Sequence, residues 1–452
     1  MKITKKWMQL GICTFLSLNS FAQVDPVATQ KEWYAQSNIY EVNLRQYTPE
    51  GTFKSFEKEL PRLRKMGVEI IWFMPITPIG LKGRKMTEQD LGSYYSVRDY
   101  KNVNPEFGSL NEFKQLVQRM HYYGFKVIID WVANHSAIDN PWTVQHPDFY
   151  KYDNAGKLLS PFDWTDVAKL NYDNKALWDT MTNAMHFWVE EIGIDGFRCD
   201  VAEEVNPEFW KYSIAKLRKT RPDLFLLAEG NTPEMHTVGF DETYQWSAMN
   251  SMKDFYSGKI KLNEFVKGLE TEDKKYPANA YRMFFTSNHD ENSWNGTEYE
   301  KFGNCAANFA ILSQTYRKSL PLVYSGQEAP LKKRLRFFTK DTIEWNQYQL
   351  QNFYTTLLRT RRLNKSLSAH AEQVFIKTSA SDQILSYARI KGNDKVIVIL
   401  NMSDKPAEFS VKTDEFNGNY KNIFSRKKIL FNNKEKIKIE AWDYLVLEKL
   451  PK

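Results

Sequence analysis

Gly196-Phe197-Arg198-Cys199-Asp200 is a short, mostly apolar run that begins with glycine and ends beside two ionisable groups. A run of this length is too short for a stable helix and reads as a buried strand whose last residues emerge at the edge of a core. The same pattern recurs on both sides of it, in Ile39–Val42, Glu69–Phe73, Lys126–Asp130, Phe225–Glu229, Phe240–Tyr244, Met283–Ser287 and Leu322–Tyr324. Between these runs lie stretches with helical spacing: Phe53–Met66, Leu110–Tyr123, Ala176–Ile192, Pro207–Lys219 and Gln347–Leu363. Apolar strands alternating with helices predict a parallel sheet covered by helices. Eight such strands predict an α/β fold, a (β/α)8 TIM barrel over residues 23–365.

Residues 135–173 follow the third strand and are rich in Asn, Asp, Pro and Trp. A connection this long predicts a small inserted domain, here termed domain B. Beyond residue 365 the pattern changes. Ile384–Ile390, Lys395–Leu400 and Trp442–Leu447 read as strands separated by turns with no helix among them. Residues 366–452 therefore predict a C-terminal antiparallel β-sandwich domain.

The first 22 residues have another character. Lys2, Lys5 and Lys6 precede an apolar stretch from Trp7 to about Leu18, and Ser20 and Ala22 put small residues at a cleavage site. This is the pattern of a secretory signal peptide over 1–22, and it predicts export to a periplasm or beyond. The bulky Ile12 before Cys13, and the apolar stretch continuing past it, argue against lipidation. No other segment is apolar enough to span a bilayer, so the mature chain is expected to carry no membrane anchor. Cleavage would leave Cys199 and Cys305, expected as buried thiols rather than a disulfide framework. The formal charge of +7 includes the leader lysines, and the basic run Lys332-Lys333-Arg334 is short, so no nucleic-acid surface is expected. An aromatic content of 15% suits either a large core or a cleft in which ring faces stack on sugars. Oligomeric state has no signature in the sequence.

Barrel enzymes carry their reactive groups at the C-terminal ends of the strands. Here strand three ends at Asp130, followed by Asn134-His135; strand four ends at Arg198-Cys199-Asp200; strand five ends at Glu229; strand seven runs into Asn288-His289-Asp290. Ionisable groups on four strands thus converge on one mouth. Glycosidic bond cleavage needs two carboxylates, one attacking the anomeric carbon or activating water and one protonating the leaving oxygen. An adjacent arginine keeps an attacking carboxylate ionised, and like charge nearby raises the pKa of the acid.

Asp130-Trp-Val-Ala-Asn134-His135, Gly196-Phe-Arg198-Cys-Asp200, Glu229 and Asn288-His289-Asp290 resemble, in order and spacing, the four signature regions of the α-amylase superfamily, glycoside hydrolase family 13. Tyr95–Tyr100 with Asn104–Gly108 resembles the segment after its second strand, and Ser325–Glu328 the end of its eighth. The resemblance implies a retaining hydrolase of α-1,4-glucosidic bonds in starch-like glucans or maltooligosaccharides. It implies Asp200 as nucleophile, Glu229 as acid/base and Asp290 as a third carboxylate holding sugar hydroxyls. It further implies Arg198 orienting Asp200, His135 and His289 bonding the same sugar, and Tyr95 as a platform beneath it. No cofactor is implied for the chemistry. With all three carboxylates present, a non-catalytic binding relative is disfavoured.

The sequence also departs from many family members. Glu203-Glu204 stands where a Lys-His pair is common, and Val167-Ala-Lys169-Leu-Asn171 where an Asp would join Asn134 in binding a structural calcium. An ammonium at Lys169 would take the cation's position, which makes the calcium doubtful; Asp139, Asp153 and Asp163 match no ligand spacing. Asp200–Val205 with Phe209-Trp210 and Lys169-Leu-Asn171 resembles the neopullulanase and cyclomaltodextrinase branch. The extra N-terminal domain of that branch is not expected before a first strand at Ile39. Substrates therefore stay open among α-1,4-glucans, cyclodextrins and pullulan, and a transglycosylase or isomerase of the same fold would share every catalytic residue. Trp131, Trp142, Trp164 and Trp294 read either as sugar platforms or as loop packing.

Overall fold

The computed structural model describes residues 33–84 and 89–451; the stretch 1–22, expected as a signal peptide, lies outside the described residues. Eight parallel strands form one sheet: β1 (Ile39–Val42), β2 (Ile70–Phe73), β3 (Lys126–Val132), β4 (Gly196–Asp200), β5 (Phe225–Ala228), β6 (Glu242–Tyr244), β7 (Tyr281–Met283) and β8 (Leu322–Tyr324). Their order is β8-β1-β2-β3-β4-β5-β6-β7, so each strand lies beside its neighbours in sequence. A parallel bridge between Arg282 and Ser319, with Leu322 N donating to Phe284 O at 3.0 Å, joins β7 to β8 and closes the barrel. Strand interiors are buried on both faces, which is why they read as continuous apolar runs rather than alternating ones.

The helices follow the predicted spacing, with three local differences. The expected helix 53–66 is two helices, Phe53–Glu57 and Leu60–Met66, because Pro61 lacks an N–H and sits in the first turn of the second. Lys175–Phe187 passes into a wider turn, Trp188–Ile192, that Gly193 ends with φ 86°. The last barrel helix begins at Gln351, since Asn346, Gln347 and Tyr348 hold positive φ and cannot continue a right-handed helix. Strand β7 lies earlier than the expected Met283–Ser287.

Two structures stand outside the barrel wall. After β3, His135–Ala137 pairs antiparallel with Val167–Lys169, which draws the long intervening segment over the barrel mouth. Beyond the barrel, six antiparallel strands between Glu372 and Lys449 form a sheet, with a second pair Ala407–Phe409 and Ile437–Ile439. In Asp394–Asn401 the side chains of Val396, Val398 and Leu400 pack with the barrel residues Phe309, Leu312 and Tyr316. Ile397 and Ile399 face Phe409 and Ile439 instead. Both faces of this strand are covered from Val396 to Leu400, so each of those positions is apolar.

Candidate active site

Strand β4 supplies the centre of the site. Its alternation turns Arg198 and Asp200 to the same side, toward the barrel axis. Arg198 is fully buried and meets three carboxylates: Nη1 lies 2.9 Å from Asp130 Oδ1 and 2.8 Å from Asp200 Oδ1, while Nη2 lies 3.0 Å from Glu229 Oε2. Its Nε donates to the Tyr244 hydroxyl at 3.1 Å. One cation therefore serves three acids. Burial and the charge of Glu229 push the Asp200 carboxyl up, and Arg198 pulls it back. Burial likewise raises Asp130, to about 6, against the pull of Arg198 and His289.

The chain turns sharply after Asp200. Val201 sits at φ 36°, ψ 48°, a left-handed conformation that is costly for a β-branched residue. That turn directs Val201 N to Glu229 Oε2 at 2.7 Å. Glu229 is tied again through its backbone, with Glu229 N donating to Cys199 O at 2.9 Å and Ala202 N to Glu229 O at 3.0 Å. The strain thus fixes the Glu229 carboxylate beside Asp200.

The opposite side of the site is built on β1 and on the segments after β2 and β7. His289 Nε2 lies 2.7 Å from the Tyr95 hydroxyl and 3.3 Å from Asp290 Oδ2, and Tyr95 Oη also donates to Asp130 Oδ2 at 3.2 Å. Burial disfavours charge on both His289 and Asp290, yet each outweighs it for the other. Asp290 is held below the usual carboxylate range by His289, and His289 is raised by Asp290 and Glu41. Asp290, with about a third of its side chain open, is more accessible than Asp200 or Glu229. The Tyr95 ring stacks between His289 and Phe337, at centroid distances of 5.6 and 6.3 Å.

A cleft of about 420 Å³ joins these groups, lined by Asp200, Glu229, Asp290, Tyr95 and His135, with Trp164, Trp294 and Phe337 at its walls. Arg198 and His289 stand immediately behind that lining. Two of the four candidate tryptophans face the cleft. Trp164 packs beside His135 and Trp294 beside Phe337, and both remain partly exposed. Trp131 takes the packing alternative, though in strand β3 rather than a loop, and is buried against Tyr100 and Phe197. Trp142 stacks on Tyr100 at 4.8 Å and lines no part of the cleft, so it too is packing.

His135 is buried, and burial together with Lys169 lowers it to about 3, so it stands neutral. Its neighbour Asn134 accepts a hydrogen bond at Oδ1 from Lys169 Nζ, which also reaches Glu204 O at 3.4 Å. Glu203 Oε1 accepts from the backbone N–H of Asn231 and of Thr232, each at 2.6 Å, and so anchors the loop that follows Glu229. Glu41, Tyr244 and Phe337 belong to the site but were not among the expected residues. A signal existed only for Glu41, an acid inside a wholly buried four-residue strand.

A barrel with three acids on one buried arginine at its C-terminal mouth is the architecture of a carbohydrate-cleaving barrel. The family model described as alpha amylase, catalytic domain, matches residues 18–155 and 150–395, and the chain belongs to that family. A solved maltogenic α-amylase from Thermotoga neapolitana is similar, with 31% identity, a TM-score of 0.83, and coverage of 92% of this chain and 99% of that one. A solved α-amylase from Lactobacillus plantarum has 26% identity and a TM-score of 0.83, over 93% of this chain and all of that one. The α-amylase MalA of Haloarcula japonica is 27% identical over 86% of this chain, which spans 59% of that protein's length.

Proposed function

We propose that this protein is a retaining glycoside hydrolase that cleaves α-1,4-glucosidic bonds in starch-like glucans or maltooligosaccharides. The observation that carries this reading is the grip of Arg198 on Asp200 and Glu229 together. Two carboxylates on one guanidinium stand close. That suits the separation of about 5 Å used by retaining enzymes, rather than the roughly 6.5–9.5 Å that leaves room for water in inverting ones. Asp200 attacks the anomeric carbon as the glycosidic bond breaks, and Glu229 gives its proton to the departing oxygen. Glu229 then takes a proton from water as that water attacks the same carbon and frees Asp200. Asp290 and His289 hold hydroxyls of the reacting sugar over Tyr95, and His135 donates from the far side. Arg198 favours the ionised form of Asp200 against burial and the charge of Glu229.

The names of the relatives support a starch-type substrate: a maltogenic amylase from Bacillus acidopullulyticus is 23% identical over 88% of this chain, and a Bacillus cyclomaltodextrinase 24% identical over 78%. A maltosyltransferase from Cereibacter sphaeroides, 27% identical over 56% of the chain, supports transglycosylation as the second reading. Product analysis on amylose, pullulan, a cyclodextrin and maltotriose separates these. Shorter oligomers formed first as α-anomers are expected. First products in the β-configuration would overturn retention, and dominant rearranged products would favour the transferase.

We also propose that Lys169 replaces a structural calcium. A divalent cation does not fit beside an ammonium that already holds the Asn134 oxygen. The melting temperature is expected to be unchanged by a chelator or by added calcium, and a fall on chelation would refute this. Export is proposed on the 1–22 pattern, to be checked by the N-terminus of the mature protein.

A further inference from the structure

Strand β1 reads Ile39-Tyr-Glu41-Val42 and is buried throughout, so a carboxylate at its centre is costly unless it is paired. Glu41 forms one ion pair among the described residues. Its Oε1 lies 2.5 Å from His289 Nδ1, with both side chains essentially inaccessible, and its Oε2 has no hydrogen-bond partner among the described residues. That bond fixes which ring nitrogen faces inward. It leaves Nε2 directed at the cleft, between the Tyr95 hydroxyl at 2.7 Å and Asp290 Oδ2 at 3.3 Å. The edge of Trp72 flanks the imidazole with ring centroids 6.0 Å apart, adding packing but no hydrogen bond.

We infer that Glu41, remote from the cleft, is a positioning residue that holds His289 with Nε2–H presented to the hydroxyls of the sugar beside Asp290. This rests on the hydrolase reading above. A neutral imidazole bonded to this carboxylate carries its proton on Nδ1 and presents an acceptor at Nε2. Only the imidazolium donates from both nitrogens, and Glu41 at Nδ1 with Asp290 near Nε2 balances its charge and so keeps Nε2–H in place. The other charged and titratable groups around this pair are Tyr95 from the segment after β2, Asp130 from β3, Arg198 from β4, Tyr244 from β6, Tyr324 from β8 and Asp290 itself. None of these is bonded to Nδ1, which among the described residues meets Glu41.

The test is a double-mutant cycle in the full chain, using whichever of the four glucans above is cleaved fastest. Carboxylates that orient metal-bound histidines are typically worth about 10–100-fold, and a loss of that size in kcat/KM is expected for Glu41→Gln. In a His289→Ala background the same substitution should change kcat/KM by less than about threefold, since its effect passes through the imidazole. In parallel, nuclear magnetic resonance of the histidine rings should show His289 carrying both protons at neutral pH in the native protein. In Glu41→Gln the ring should titrate at lower pH, because burial is then opposed by one carboxylate fewer. An equal loss in both backgrounds, with an unmoved His289 titration, would overturn the inference and leave Glu41 a packing residue. If His289→Ala alone keeps native activity, the proposed sugar contact fails, while the ring titration still decides whether Glu41 governs His289. Should Glu41→Gln not fold, Glu41→Asp carries the same cycle, its carboxylate withdrawn by one methylene and an intermediate loss expected.

Discussion

Asp195 and Asp200 stand at opposite ends of β4, and the two ends are built to opposite stoichiometries. At the N-terminal end one acid meets two cationic side chains and a histidine. Asp195 takes Lys126 Nζ at 2.9 Å, Arg221 Nη2 at 2.6 Å and His121 Nε2 at 2.7 Å, and Val127 N donates to it at 2.9 Å. Burial would raise this carboxyl, but His121 and Lys126 hold it below the usual range. At the C-terminal end one cation, Arg198, is divided among Asp130, Asp200 and Glu229. A surplus of cations leaves Asp195 ionised and inert. A deficit leaves the acids at the mouth competing for charge, which is the condition for one to attack while another carries a proton. The same strand thus ties down one end of the barrel and keeps the other reactive.

Substitutions at the two ends should separate activity from stability. Asp200→Asn is expected to lower kcat by about 10⁴-fold or more, because no neighbouring group can replace the attacking oxygen. Its melting temperature should hold or rise, since the change removes one of three acids sharing Arg198. A variant that keeps native kcat would remove Asp200 from the chemistry. Asp195→Asn should do the reverse. It leaves Lys126, Arg221 and His121 without their anion, although each is partly exposed and reaches water. A loss of about 3 kcal/mol by urea titration is expected, with kcat per folded molecule unchanged. A fall in kcat without a fall in stability would show that the two ends are not separable.

How far the sequence foretold this follows the range of each signal. Asp130, Asp200 and Glu229 could be found because each is a polar break at the end of an apolar run. Asn288-His289-Asp290 could be found because its residues are contiguous. The opposition at β4 could not. Asp195 looks like any acid before a strand, and its partners His121, Lys126 and Arg221 come from other elements. Glu41 is bonded to a histidine 248 positions away, a pairing made only by barrel closure. Val201 gives no sign of its left-handed backbone, because its residue type argues against it. The four tryptophans were equivalent as letters, and only the direction of each side chain sorted Trp164 and Trp294 from Trp131 and Trp142.

A smaller effect of opposite sign comes from the neutral, buried His135 beside the same mouth. Its proton affinity is lowered to about 3 by burial and by Lys169, against an ordinary value near 6.5. The unfolded chain therefore binds this proton first as pH falls, so the contribution to stability is complete above pH 6.5 and is lost progressively toward pH 3. Between pH 6.5 and 5 the loss amounts to roughly 2 kcal/mol. Asp130, raised to about 6 by burial, acts the other way, because the folded protein binds that proton before the unfolded chain does. The native profile is thus a balance, and His236, lowered to about 4, adds a second loss in the direction of His135. The difference between the native protein and His135→Gln isolates one side of it. Urea titrations at pH 7 and pH 5 should show the variant gaining on the native protein by about 2 kcal/mol at the lower pH. A difference independent of pH would mean that His135 is already charged in the fold, and that Lys169 does not hold the neighbouring position as an ammonium.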